Sequence, residues 1–222
     1  MDKNLSILLI GPSGAGKGTQ ARLLAQKYGL KHLQSGEILR NMAAKEGEFG
    51  QKVREAMQKG FVPSEWIFQM IEEEFSRLNE NGVVIDGFSR KLSEVQMLYE
   101  VFEKKKRKLD YIFLITIADD KVVERLINRR VCQKCKQMFD ARSMSEYICP
   151  LCGGEIYTRE DDNLDSIKGR LEDYKNETSK VIEFIKERDR IIEIDGDRSV
   201  EEVSEEISRL IEKGGIDESN LN

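Results

Sequence analysis

Short apolar runs recur along this 222-residue chain, separated by longer stretches in which apolar residues fall at helical spacing. Residues 5–10, 31–33, 83–85, 111–116 and 191–194 are apolar in runs with little alternation. Runs of that kind suit strands covered on both faces, and strands that alternate with helices build a parallel sheet. The predicted crossover helices are 18–28, 93–103, 121–129 and 163–186. The last carries Ile167, Leu171, Tyr174, Val181, Ile182 and Ile185 at helical spacing. Near the end, Ser199 and Glu202 spell a capping box ahead of Val203, Ile207, Leu210 and Ile211. The polar tail from Gly214 is expected to fray.

Two segments break this alternation. Residues 35–65 are rich in helix formers and hold no strand, and 131–157 carry all the cysteines in a stretch of hairpin character. Both are expected to be insertions, placed where moving lids belong. The core is then 1–34, 66–130 and 158–222, an α/β fold with a parallel sheet.

Composition narrows the class. With 39% hydrophobic and 35% charged residues the chain is a globular protein with a heavily charged surface. No run is long enough to span a bilayer, and the start lacks the layout of a secretory signal, so a cytoplasmic site is expected. A net charge of −5 argues against a general nucleic-acid binder, so any phosphates are held locally. The basic run 104–108 follows a helix and reads as its solvated end.

The chemistry begins at residues 11–20, GPSGAGKGTQ, directly after the first strand. A buried strand that breaks into glycines and re-enters a helix leaves backbone N–H groups around one concavity, where an anion also meets the positive helix end. Lys17 adds a mobile charge. Gly11, Gly16 and Lys17 fit the nucleotide-binding loop, although Gly18 takes the usual hydroxyl position and Thr19 follows it. In 83–90 a strand ends at Asp86, suited to Mg²⁺ through water, and Arg90 follows, suited to grip a phosphate. Cys132, Cys135, Cys149 and Cys152 form two Cys-x-x-Cys pairs separated by thirteen residues. Four thiolates fill a tetrahedral zinc site and leave no position for water, which makes the metal structural; disulfides are the competing reading. Arg40, Arg125, Arg129, Arg159 and Arg170 stand beside motif segments or lid hinges.

Taken in order, GPSGAGKGTQ, SGEILR, DGFSR, RLINRRVCQKC, CPLCGGEIYTREDDN and GDRSVEEV resemble the adenylate kinase family, in its long form with a zinc-bearing lid. The resemblance covers essentially the whole chain. It implies a P-loop nucleotide kinase with a five-stranded parallel sheet, a helical monophosphate-binding insertion and a lid that closes over the substrates. It also implies a monomer acting on ATP and AMP with Mg²⁺. By the same similarity Gly14, Ala15, Gly16, Lys17, Gly18 and Thr19 would hold the donor phosphates, with Arg125 on the donor base and Arg198 beside it. Arg129, Arg159 and Arg170 would contact the phosphates in transfer, and Asp161 and Asp162 match the family's lid acids. Ser35, Gly36, Arg40, Val62, Gly87, Arg90 and Glu94 would form the acceptor pocket, with Arg159 and Arg170 also on the AMP side and Arg129 on the ATP side. Lys17, Asp86, Arg90, Arg129, Arg159 and Arg170 would carry the chemistry.

The chain departs from the family at three places. Ser89 stands where a proline is usual, and the thirteen residues between the cysteine pairs are fewer than the family implies. Glu94 stands where a glutamine reads the acceptor adenine, and a carboxylate offers only acceptors to a base that presents a donor at N6 and an acceptor at N1. AMP remains the expected acceptor, with a relaxed or GMP-shifted selectivity as the alternative. Gln96 lies on another helical face and is a poor substitute. A non-enzymatic reading, a nucleotide-gated zinc ribbon that binds a partner, leaves Asp86, Arg90 and the lid arginines without a joint purpose.

Overall fold

In a computed structural model, which describes residues 4–58, 62–77 and 82–214, five parallel strands form the central sheet. They are β1 (Ser6–Ile10), β2 (Lys31–Gln34), β3 (Val83–Asp86), β4 (Tyr111–Thr116) and β8 (Ile191–Asp195), in the order β2-β3-β1-β4-β8. The register sets Leu9 beside Asp86, and Asp86 beside Gln34. Three strand ends thus meet where the chain leaves β1. The expected fraying of the tail concerns residues beyond 214, outside the described part.

The apolar runs of β1, β3 and β4 are continuous because each of these strands feeds two cores. Leu8 and Ile10 of β1, Val83 and Ile85 of β3, and Ile112 and Leu114 of β4 face one cluster. Helices α4 (Ser64–Ser76), α5 (Leu92–Lys104) and α7 (Leu164–Lys186) cover that side through residues such as Ile71, Leu98 and Val181. Ile7, Leu9, Val84, Phe113 and Ile115 point the other way, onto α1 (Lys17–Tyr28) and α8 (Val200–Glu212). Successive side chains on a strand alternate in direction, so a strand buried on both faces shows no polar alternation.

The helix starts follow local chemistry. Ser199 and Glu202 make the expected reciprocal cap of α8, and the Asn163 side chain caps α7 by accepting from the Ser166 N–H. Helix α6 runs Asp119–Ile127, two residues ahead of the expected span. Its two leading acids suit the positive end of the helix dipole, and Asn128 ends it, so Arg129 lies on a strand instead. The basic run behaves as a helix end: α5 stops at Lys104, and Lys106 takes a left-handed φ of 51°.

Both irregular segments have the expected character. Helices α2 (Ser35–Ala43) and α3 (Glu48–Gln58) pack on each other without a strand. The cysteine segment folds with β5 (Arg129–Cys132), β6 (Met138–Asp140) and β7 (Ile156–Tyr157) as a small antiparallel sheet in the order β6-β5-β7. Among the described residues no helix is long and apolar enough to cross a membrane.

Candidate phosphate-handling site

Helix α1 begins at Lys17 with Gly16 as its N-cap, left-handed at φ 95° and offering no side-chain cap. The amides of Lys17 and Gly18 are therefore suited to an anion, while the Thr19 N–H bonds the Gly16 carbonyl. Lys17 itself is folded back, its Nζ donating to the carbonyls of Gly11 and Pro12 at 2.8 Å each. Burial pushes its pKa down to about 8; Asp86 pulls it back up, and Arg90 and Arg129 push it further down. Lys17 therefore sits within electrostatic reach of the acid at the end of β3 and of two arginines from different segments.

Asp86 is 5% exposed and accepts from the Gln34 Nε2 at 2.8 Å. Gly18 lies against this pair. A Cβ there would come within 2.9 Å of the Gln34 Nε2 and 3.2 Å of Asp86 Oδ2, which accounts for glycine at the position where the loop pattern has a hydroxyl. Beyond Asp86, Gly87 has φ 90°, and its carbonyl accepts from the buried Ser35 Oγ at 2.7 Å. A Cβ on Gly87 would lie 2.5 Å from that hydroxyl. This bond pins the start of α2 to the end of β3 and brings Ser35, Gly36 and Arg40 to the carboxyl edge of the sheet. Val62 packs against the same core cluster as Ile38 and Leu39 of α2.

The lid arginines converge on the expected acid pair. Arg129 donates to Asp162 through Nε at 2.7 Å and Nη2 at 2.5 Å, a bidentate pair with a carboxylate that is 0% exposed. Arg170 reaches Asp162 and Asp161, each at 3.2 Å. Arg159 is surrounded by like charge: burial lowers its pKa to about 10, and Arg129 and Arg40 add to the effect, against Asp161 and Asp162. Arg159 Nε is also a buried donor with no protein partner. Two acids thus hold a set of arginines whose combined charge they do not neutralise, which is the electrostatics of a polyphosphate site.

On the other side of the loop, Arg125 donates from Nη1 to the Gly196 carbonyl at 2.8 Å and lies 3.6 Å from Asp197. That brings it to the loop that carries Arg198. Arg198 turns away onto Glu206 and the Asp195 carbonyl.

Glu94 lies at the start of α5. It is 5% exposed, and its Oε2 accepts from the Arg90 N–H at 3.0 Å. Burial pushes its carboxyl pKa up, while the N–H of Arg90, the Arg90 charge and the N–H of Lys91 pull it down. Three residues after the Lys91 N-cap, it reaches back over the start of α5 as an acidic cap does. Arg90 itself is exposed, and Gln96 lines a separate surface cleft of about 640 Å³ with Tyr99 and Phe184.

The four cysteine sulfurs lie within 4.8 Å of one another. Cys132 and Cys152 approach to 3.5 Å, and Cys135 and Cys149 to 3.6 Å. Both contacts pair one knuckle with the other, as ligands around a single ion would be. An all-sulfur set at this spacing fits zinc.

Comparison with known proteins agrees with this geometry. The model of the family described as adenylate kinase matches residues 9–190. The adenylate kinase of Elusimicrobium minutum is 38% identical over 211 residues, covering 93% of this chain and 98% of that protein. Those of Archaeoglobus fulgidus and Fervidobacterium nodosum are 33% and 34% identical and cover 94% and 96% of this chain, each over 99% of its own length. With a nucleotide loop, a buried strand-end acid and converging arginines in one chain, and with relatives that match it nearly end to end, this protein belongs to the adenylate kinase family.

Proposed function

We propose that the chain transfers the γ-phosphoryl group of ATP to AMP, giving two ADP, and that the residues brought together above carry out the transfer. The observation that supports the assignment of roles is that the phosphate loop, the strand-end acid and the start of α2 meet at the carboxyl ends of β1 and β3, with Gly18 against Asp86 and Gln34 and Ser35 bonded to the Gly87 carbonyl. Phosphoryl transfer asks mainly for positioning and positive charge around the migrating group. The loop of residues 14–19 with Lys17 holds the donor phosphates, with Arg125 on the donor base and Arg198 as a further ATP-side residue that would have to leave Glu206. Ser35, Gly36, Arg40, Val62, Gly87, Arg90 and Glu94 form the acceptor side. Arg129, Arg159 and Arg170 exchange part of their hold on Asp161 and Asp162 for phosphate oxygens as the lid settles. Adenylate kinases take ATP with Mg²⁺, and Asp86 is the residue suited to hold the ion through water; when bound, the ion offsets charge on the phosphates.

Residues 35–65 serve as the acceptor-binding insertion and 131–157 as the lid, both closing on the core to exclude water. Cys132, Cys135, Cys149 and Cys152 hold a structural zinc that staples a sheet too small for a core of its own. Such a thiolate site suits the reducing cytoplasm. A second reading, relaxed or GMP-shifted acceptor choice, is favoured by one observation, the buried acid at Glu94.

A coupled assay for ADP from ATP and AMP tests the reaction. Turnover is expected, and intact ATP binding without turnover would favour a nucleotide-gated binding module. Metal analysis of the purified protein is expected to find about one zinc per chain, and Cys149→Ser to lose most of it; a folded protein without metal would sink the structural-zinc assignment.

A further inference from the structure

One face of α1, running on from the phosphate loop, touches the small sheet that carries the cysteines. Gly18 and Arg22 are four residues apart and so share that face. At Gly18, an added Cβ would come within 3.2 Å of Met138 Cε on β6. One turn later, Arg22 Nη1 donates to the Lys136 carbonyl at 3.2 Å and to Gln137 Oε1 at 3.0 Å. Lys136 is the turn residue of the first cysteine knuckle, left-handed at φ 59°, with its N–H bonded to the Cys132 carbonyl. Burial lowers the Arg22 pKa, and the Glu37 carboxylate on α2 pulls it back up. One core side chain therefore meets the lid directly and the acceptor-side insertion through charge.

We infer that Arg22 is a latch: it docks the cysteine knuckle onto α1, biases the lid toward closure before substrate arrives, and acts on the reaction by positioning the lid. The inference rests on the reading that this lid closes during phosphoryl transfer. Physically it needs only that the closed arrangement makes two charge-assisted bonds that the open one gives to water. Because one of them is solvent-exposed, the bias is modest, about fivefold in the ratio of closed to open molecules.

The test follows the lid itself. In zinc-loaded protein without nucleotide, dyes attached through non-natural side chains at the exposed positions Tyr147 on the lid and Lys213 on the core report the closed-to-open ratio by single-molecule energy transfer. Arg22→Ala is expected to lower the ratio about fivefold. Both bonds leave from the same nitrogen, so Arg22→Lys is expected to restore it to within about twofold, which a loss of general stability would not allow. Gln137→Ala is expected to give a smaller fall, and adding it to Arg22→Ala no further change. An unchanged ratio in Arg22→Ala, or an Arg22→Lys variant as open as the alanine one, overturns the latch. Turnover of ATP and AMP by the wild type is measured in parallel. An enzyme that turns over with an unchanged ratio refutes the latch alone, whereas absent turnover refutes the phosphoryl-transfer reading and leaves the lid measurement to stand by itself.

Discussion

Lys17→Met is expected to lower kcat/KM for ATP by about a thousandfold, with the thermal midpoint held within a few degrees. Removing one preorganised charge from a phosphoryl-transfer site costs on the order of 10²–10⁵ in rate, because few other groups supply the barrier reduction. Folding should be spared. The lysine side chain bonds only the Gly11 and Pro12 carbonyls of the loop, and no core cluster includes it. The same residue sets a pH dependence. In the nucleotide-free protein its pKa is pushed down to about 8 by burial, so the charged form that binds phosphate is present below that pH and lost above it. The rate term kcat/KM reports groups of the free enzyme, so it should fall with a midpoint near pH 8, while kcat stays level further up the scale because bound phosphates raise the lysine again. A pH profile of Lys17→Met that keeps this alkaline limb would show that another group is responsible.

The parts of the fold that were legible in the sequence are those whose partners are local or generic. The strands at β1 and β4 declare themselves because both faces are buried, and α8 because Ser199 and Glu202 sit at the fixed spacing of a cap. The cysteine set was legible because its chemistry lies in the spacing itself. The helix predicted over 121–129 takes in Arg129, and no neighbouring residue type argues otherwise. What ends α6 is the backbone turn at Asn128, and what makes residues 129–132 a strand is pairing with 138–140 and 156–157, distant in sequence. Arg22 was missed for a related reason. One of its two acceptors is a backbone carbonyl, which leaves no trace in residue identity, so an arginine on the polar side of a helix reads as solvated surface. For the site, the converging residues came from the family resemblance. The structure adds that Asp161 and Asp162 tie Arg129 and Arg170 together.

Glu94→Gln is expected to raise the preference for AMP over GMP, measured as the ratio of kcat/KM values, by about ten- to a hundredfold. The size follows from the cost of a mispaired polar contact in a closed pocket, on the order of 1–3 kcal/mol. The ionised carboxylate turns lone pairs toward adenine N1, whereas guanine presents two donors, N1–H and the 2-amino group. A protonated carboxyl has the donor and acceptor pattern of an amide and can read adenine as glutamine does. Burial already pushes the Glu94 pKa upward, and an adenine that needs the proton pushes the same way. The AMP to GMP ratio of the wild type should therefore rise as pH falls, and that of Glu94→Gln should stay flat and higher. Structurally the exchange is mild, since the new amide oxygen can still accept from the Arg90 N–H that now meets Glu94 Oε2, and its NH₂ becomes the missing donor. The competing outcome is equally concrete. If both proteins show the same ratio at every pH, the carboxylate is wholly engaged by the backbone at the start of α5, and the base is read by groups other than this side chain.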